Sequence, residues 1–163
     1  MGWYGAVILF GLALAVGWGA GANSQRFAAI LDLQQVSPPA VQLDSLALFD
    51  AGSAELKPGS TKLLINALVD VKAQPGWLIV ISGHSDDRGS PEQNLHLSNA
   101  RALAVRGWMQ RMGDIPDSCF AVQAIAAREP LASNETAAGR ASNRRVDIRL
   151  MPQAGACEQH SMG

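Results

Sequence analysis

The chain has 163 residues, 13 basic against 14 acidic, with a formal net charge of −1. No long run of Lys or Arg occurs, which excludes the electrostatic footprint of a nucleic-acid binder. The first twenty or so residues are too apolar for a soluble core, which leaves roughly 110 to 120 residues for one compact body, enough to fold alone.

From Trp3 to Ala22 no residue is charged, a length that spans the hydrocarbon core of a bilayer as a helix. Two readings stay open. As a retained anchor the segment offers Gly17-x-x-x-Gly21, a spacing for close helix approach, with Trp3, Tyr4 and Trp18 near its ends. As a signal peptide it offers an apolar run from Ala6 to Val16 and a cleavage-like Ala20-Gly21-Ala22, with cleavage expected after Ala22. No Lys or Arg precedes Arg26, so flanking charge does not set an orientation, and no cysteine follows the run to carry a lipid. Both readings carry the remainder across the membrane. Residues 1–22 are thus anchor or signal, 23–43 a linker in which Ser37-Pro38-Pro39 stops any helix, 44–152 the domain and 153–163 a tail.

Within the domain, the short apolar stretch Leu46 to Phe49 predicts a first strand, and Asp50-Ala51-Gly52-Ser53 its exit turn. Leu63, Leu64, Ala67, Leu68 and Val71 mark one face of a helix that Pro75-Gly76 ends. Trp77 to Ser82 is a continuous apolar run, as in a strand covered on both faces. Gly83 to Gly89 is polar and turn-rich. Pro91 then opens a long helix whose stripe Leu97, Ala100, Ala104, Trp108 and Met112 stops at Gly113. Phe120 to Ala126 predicts a third strand, Thr136 to Ser142 a helical turn and Arg144 to Leu150 the last strand. The expected class is α+β, in the order β-α-β-α-β-(α)-β, a sandwich of helices on a mixed sheet with an apolar N-terminal helix ahead of it. Cys119 and Cys157 suit an oxidising compartment. Either they join and pin the tail, or they stay as two thiols.

Gly83-His84-Ser85-Asp86-x-x-Gly89 is followed by Asn94-x-x-Leu97-Ser98-x-x-Arg101-Ala102, and later by Asn143-Arg144-Arg145-Val146. These motifs, with Leu48-Phe49-Asp50 and Ser53-Ala54-x-Leu56-x-Pro58, resemble the OmpA-like peptidoglycan-binding family, and the resemblance runs from Leu46 to Leu150. It implies a noncatalytic module, without cofactor or metal, that anchors a membrane or envelope complex to the cell wall of a Gram-negative cell. The ligand it implies is diaminopimelate of the stem peptide, whose free end carries an ammonium and a carboxylate. By the same resemblance Asp86 receives the ammonium and Arg101 the carboxylate, while Asn94, Arg144 and Asp50 line the pocket. The implied location is the cell envelope: an inner-membrane anchor with a periplasmic domain, or a periplasmic protein released by cleavage.

Competing readings attach to the same residues. Asp86 and Arg101 pair internally if the loop is merely fastened to the helix. Of the adjacent Arg144 and Arg145, one alone can face a pocket from a strand. His84 with Asp86, Asp87 and His96 lacks the spacing of a metal site, and His84, Ser85 and Asp86 lie too close in sequence for a catalytic triad, so His84 is expected to bond within its loop. A stator-type subunit driven by ions would need an acidic residue between Trp3 and Ala22, and none is there. Family members commonly show Gly-x-Gly where this chain has Ala124-Ile125-Ala126, which raises the alternative of a degenerate domain that binds a protein partner instead.

Overall fold

The computed structural model describes residues 40–152 and Cys157. The expectations for Trp3–Ala22, for the linker up to Pro39 and for most of the tail lie outside these residues. Among the described residues no helix is long and apolar enough to cross a membrane.

Four strands form one mixed sheet in the order β1-β4-β2-β3. They are β1 (Ala40–Asp44), β2 (Leu78–His84), β3 (Phe120–Ala126) and β4 (Arg145–Met151). The β1/β4 and β4/β2 pairs are antiparallel, and β2/β3 is parallel. A parallel neighbour needs a long crossover, which the helix between β2 and β3 supplies. The helices are α1 (Ser45–Leu48), α2 (Thr61–Lys72), α3 (Pro91–Gly113) and α4 (Ala137–Asn143). The buried core joins Leu43 of β1, Ile79 and Ile81 of β2, and Val146, Ile148 and Leu150 of β4 to Leu64, Ala67 and Val71 of α2 and to Ala102, Val105 and Met109 of α3. Alternate residues of each strand supply this face because side chains in a strand point to opposite sides in turn.

Two details depart from the sequence reading. The first strand lies earlier than expected, in what reads as linker, and Leu46 to Phe49 is no strand. Asp44 accepts a hydrogen bond from Leu46 N at 2.6 Å and caps a single helical turn, α1, after which Phe49 makes an isolated bridge to Leu56. The buried face of α3 is also offset. It runs through Ser98, Arg101, Ala102, Val105 and Met109, while Met112 of the expected stripe is 60% exposed. Two polar residues on the inward face disguised it. The joining of Cys119 to Cys157 that the sequence offered is present, with Cα atoms 4.6 Å apart, so Cys157 is tied to the residue before β3.

Register dictates that one end of the sheet gathers every segment of interest. Asp44 pairs with Arg145, Gly83 with Val146 and His84 with Ala126, so the end of β1, the start of β4 and the ends of β2 and β3 lie together.

Candidate functional site

Gly83 brings α3 close to the sheet, since a Cβ there would collide with the Ser98 carbonyl. The loop after β2 is then held by its own backbone. Ser85 N donates to Ala126 O at 3.0 Å, and Asn94 Nδ2 donates to Arg88 O at 2.7 Å and to Asp86 O at 3.3 Å. Gly89 closes the loop at φ +87°, a region that favours glycine. Asn94 therefore shapes the loop with its amide; its role is to hold Asp86 in place.

Asp86 is fixed from two sides. Its Oδ1 accepts from Arg88 N at 3.1 Å, and its Oδ2 accepts from Arg144 Nη1 at 2.6 Å. The side chains of this pair are 13% and 27% exposed, so it sits at the mouth of the site and faces solvent in part. The internal Asp86–Arg101 bridge does not form. Arg101 donates from Nε to Ser53 O at 2.8 Å and from Nη2 to Asp50 O at 3.4 Å, and its guanidinium lies 5.3 Å from the centre of the Phe49 ring. At 4% exposure it is buried, and among the described residues no carboxylate lies within ion-pair distance of it. Burial, and then the nearby charge of Arg144, pull its pKa below the ordinary arginine value.

Asp50 belongs to the site through its carbonyl, not its carboxylate. Its side chain is 81% exposed and turns to Lys57 Nζ at 3.2 Å. The site thus collects Asp86, Arg101 and Arg144 as charged groups, with Asn94 and the Asp50–Ser53 turn as their supports. Two guanidiniums and one carboxylate thus stand together, able to bond an anion and a cation respectively.

Arg145 points to the opposite face of the sheet, as adjacency to Arg144 requires. There it donates from Nε to Asp147 Oδ1 at 3.1 Å and from Nη2 to Glu129 O at 3.3 Å. His84 is fully buried with Nε2 at 3.2 Å from Asp147 Oδ2, so its contact crosses to β4 and is not within its own loop as the sequence led us to expect. Burial opposes the charge of Asp147, but the His84 contact and the Arg145 guanidinium outweigh it and hold the carboxyl below its ordinary value. Sequence reasoning missed this cluster. The period-two alternation Arg145, Asp147, Arg149 was the available signal. It also missed Asn143, fully buried, whose Oδ1 accepts from Leu131 N at 2.7 Å and Ala132 N at 3.0 Å and so ties the preceding loop to the start of β4.

The alanines at 124 and 126 are not equivalent. The β2/β3 register shifts at Gly83/His84, which leaves Ile125 unpaired, and Ala126 takes φ +53°. Ala126 is therefore the position where a glycine would relieve strain.

Fold and site together define an α+β domain that gathers fixed charges at one end of a mixed sheet. The OmpA family model matches residues 48–144, and the chain belongs to that family. The probable lipoprotein YiaD of Escherichia coli is 36% identical over 104 residues, 64% of this chain and 47% of the relative. The peptidoglycan-associated lipoprotein of Pseudomonas aeruginosa is 32% identical over 101 residues, 62% of this chain and 59% of the relative. The chain spans about half the length of these curated relatives. Among solved structures, the cell wall anchor of the T6SS from Pseudomonas aeruginosa aligns with a TM-score of 0.63 at 26% identity, over 80% of this chain and 96% of that one.

Proposed function

We propose that this domain is a noncatalytic peptidoglycan receptor that anchors an envelope complex to the cell wall, taking the free end of diaminopimelate in the stem peptide. The observation that carries this reading is Arg101: a buried cation, gripped by two carbonyls and one ring, with no anion of its own. A buried unpaired charge is costly, and a ligand carboxylate relieves that cost. The ligand ammonium goes to Asp86, and Arg144 shares both partners, holding Asp86 before binding and flanking the carboxylate after it. Similarity to a peptidoglycan-associated lipoprotein and to a cell wall anchor supports a wall ligand.

Trp3–Ala22 holds the chain in the inner membrane in this reading, with the domain in the periplasm. Retention of sacculi by the full chain tests the site: wild type co-sediments with them, and Asp86→Ala or Arg101→Ala abolishes it. Wild-type retention of the double variant would overturn the assignment. Sequencing the mature N-terminus tests the anchor, since a start at Asn23 removes it.

A further inference from the structure

Beside the Asp86 loop lies a concavity of about 430 Å³ that shares Asn94 with the Asp86 site but none of its charged groups. The strand order β4-β2-β3 places Arg144 on one flank of the loop and residues 126–128 on the other, so the charged pair and this cavity share the loop from opposite sides. Its walls are apolar, formed by Leu95, Pro91, Ala126 and Ala127, and Asp87 and Arg128 are exposed at its rim.

Two independent features mark it as a built surface. Leu95 is 45% exposed on a helical turn whose other exposed residues, Glu92, Gln93 and His96, are polar. Ala126 keeps a methyl group on the cavity wall although its φ of +53° strains any residue but glycine. Strain retained beside a cavity points to a use for the side chain that causes it.

We propose that this cavity is a second subsite, for the D-alanine that follows the diamino acid in the stem peptide; the inference rests on the reading of the Asp86 site given above. D-Alanine carries a methyl for the apolar wall, an amide N–H for Asp87 and, at the end of a tetrapeptide, a carboxylate for Arg128. Arg128 is held at the end of β3, donating from Nε to Ile125 O at 3.0 Å and from Nη2 to Ala124 O at 2.5 Å, which leaves Nη1 for a ligand carboxylate. The residue on the other side of the diamino acid, a γ-linked glutamate, brings no methyl. A sugar brings hydroxyls that these walls leave without partners.

The test titrates the full chain with free meso-diaminopimelate, with the tripeptide that ends on it and with the tetrapeptide that adds D-alanine. The tetrapeptide binds about fivefold or more tighter than the tripeptide, the order expected for one buried methyl and a charge-assisted contact. Leu95→Gln brings that ratio toward one while tripeptide affinity holds, and Ala126→Gly also brings the ratio toward one. Ala126→Gly at the same time raises the melting temperature, a combination that a purely structural role for the methyl does not produce. Equal affinities in the wild type, or variants that weaken both peptides alike, overturn the subsite and leave the Asp86 reading standing. Failure of all three ligands to bind removes that reading and the subsite with it.

Discussion

Arg101 carries its charge where water is nearly excluded, and Arg144 adds a second positive charge nearby. Both effects disfavour the guanidinium and both are relieved by an anion. Stability and binding therefore oppose each other at this residue. Arg101→Met, which keeps volume and discards charge, is expected to change unfolding free energy by no more than about 1 kcal/mol while sacculus retention is lost. Chemical denaturation and co-sedimentation on one protein sample check the two halves. Asp147 acts in the opposite sense, because its folded-state pKa is depressed by His84 and Arg145. A depressed carboxylate adds stability above its unfolded value, about 3.9, and that stability is lost as pH falls through the lower folded value. Melting curves from about pH 7 to about pH 2 should show wild type losing stability below about pH 4. Asp147→Asn should start less stable at neutral pH and fall less steeply.

Helix α3 joins the site to the core, and its ends are built differently. At its start Ser90 accepts from Gln93 N at 3.3 Å and Pro91 needs no hydrogen-bond partner. At its finish Asp114 takes φ 50° and ψ 48°, with its N–H donating to Gln110 O. That left-handed cap favours glycine, so Asp114→Gly should raise stability by about 0.5–1 kcal/mol, measured by thermal unfolding. The long elements were legible because each satisfies a simple period. Strand β3 occupies the span that its apolar run predicts, and α3 begins at Pro91 and ends at Gly113 as the sequence implies. Strand β1 was hidden. It is five residues long and takes its meaning from pairing with β4, far along the chain, which no local pattern reports. The site shows the same division. Asp86, Asn94, Arg101 and Arg144 were candidates from motif resemblance, whereas the pairing of Asp86 with Arg144, the use of Asp50 through its carbonyl and the His84–Asp147 contact depend on which strands become neighbours.

For the whole domain, the Cys119–Cys157 bond closes a loop with a sequence separation of 38. Cys157→Ser should lower stability by about 2–4 kcal/mol, and reductant should produce a similar loss in the wild type, read as a fall in melting temperature. Ligand binding well below that temperature should persist, because Cys119 immediately precedes β3, at the end of the sheet opposite Asp86. The same polarity governs how the domain bears load. The chain enters β1 at Ala40, paired with Arg149, while the charged receptor lies at the other end, where Asp44 pairs with Arg145. A pull between a wall-bound ligand and the entering chain runs along β1, parallel to the strands and across hydrogen bonds that lie perpendicular to them. The β1/β4 ladder is then sheared as a unit instead of being peeled one bond at a time. In the proposed anchoring role, a domain of this geometry yields slowly under traction, and its lifetime follows the rate of forced unfolding and not equilibrium stability alone.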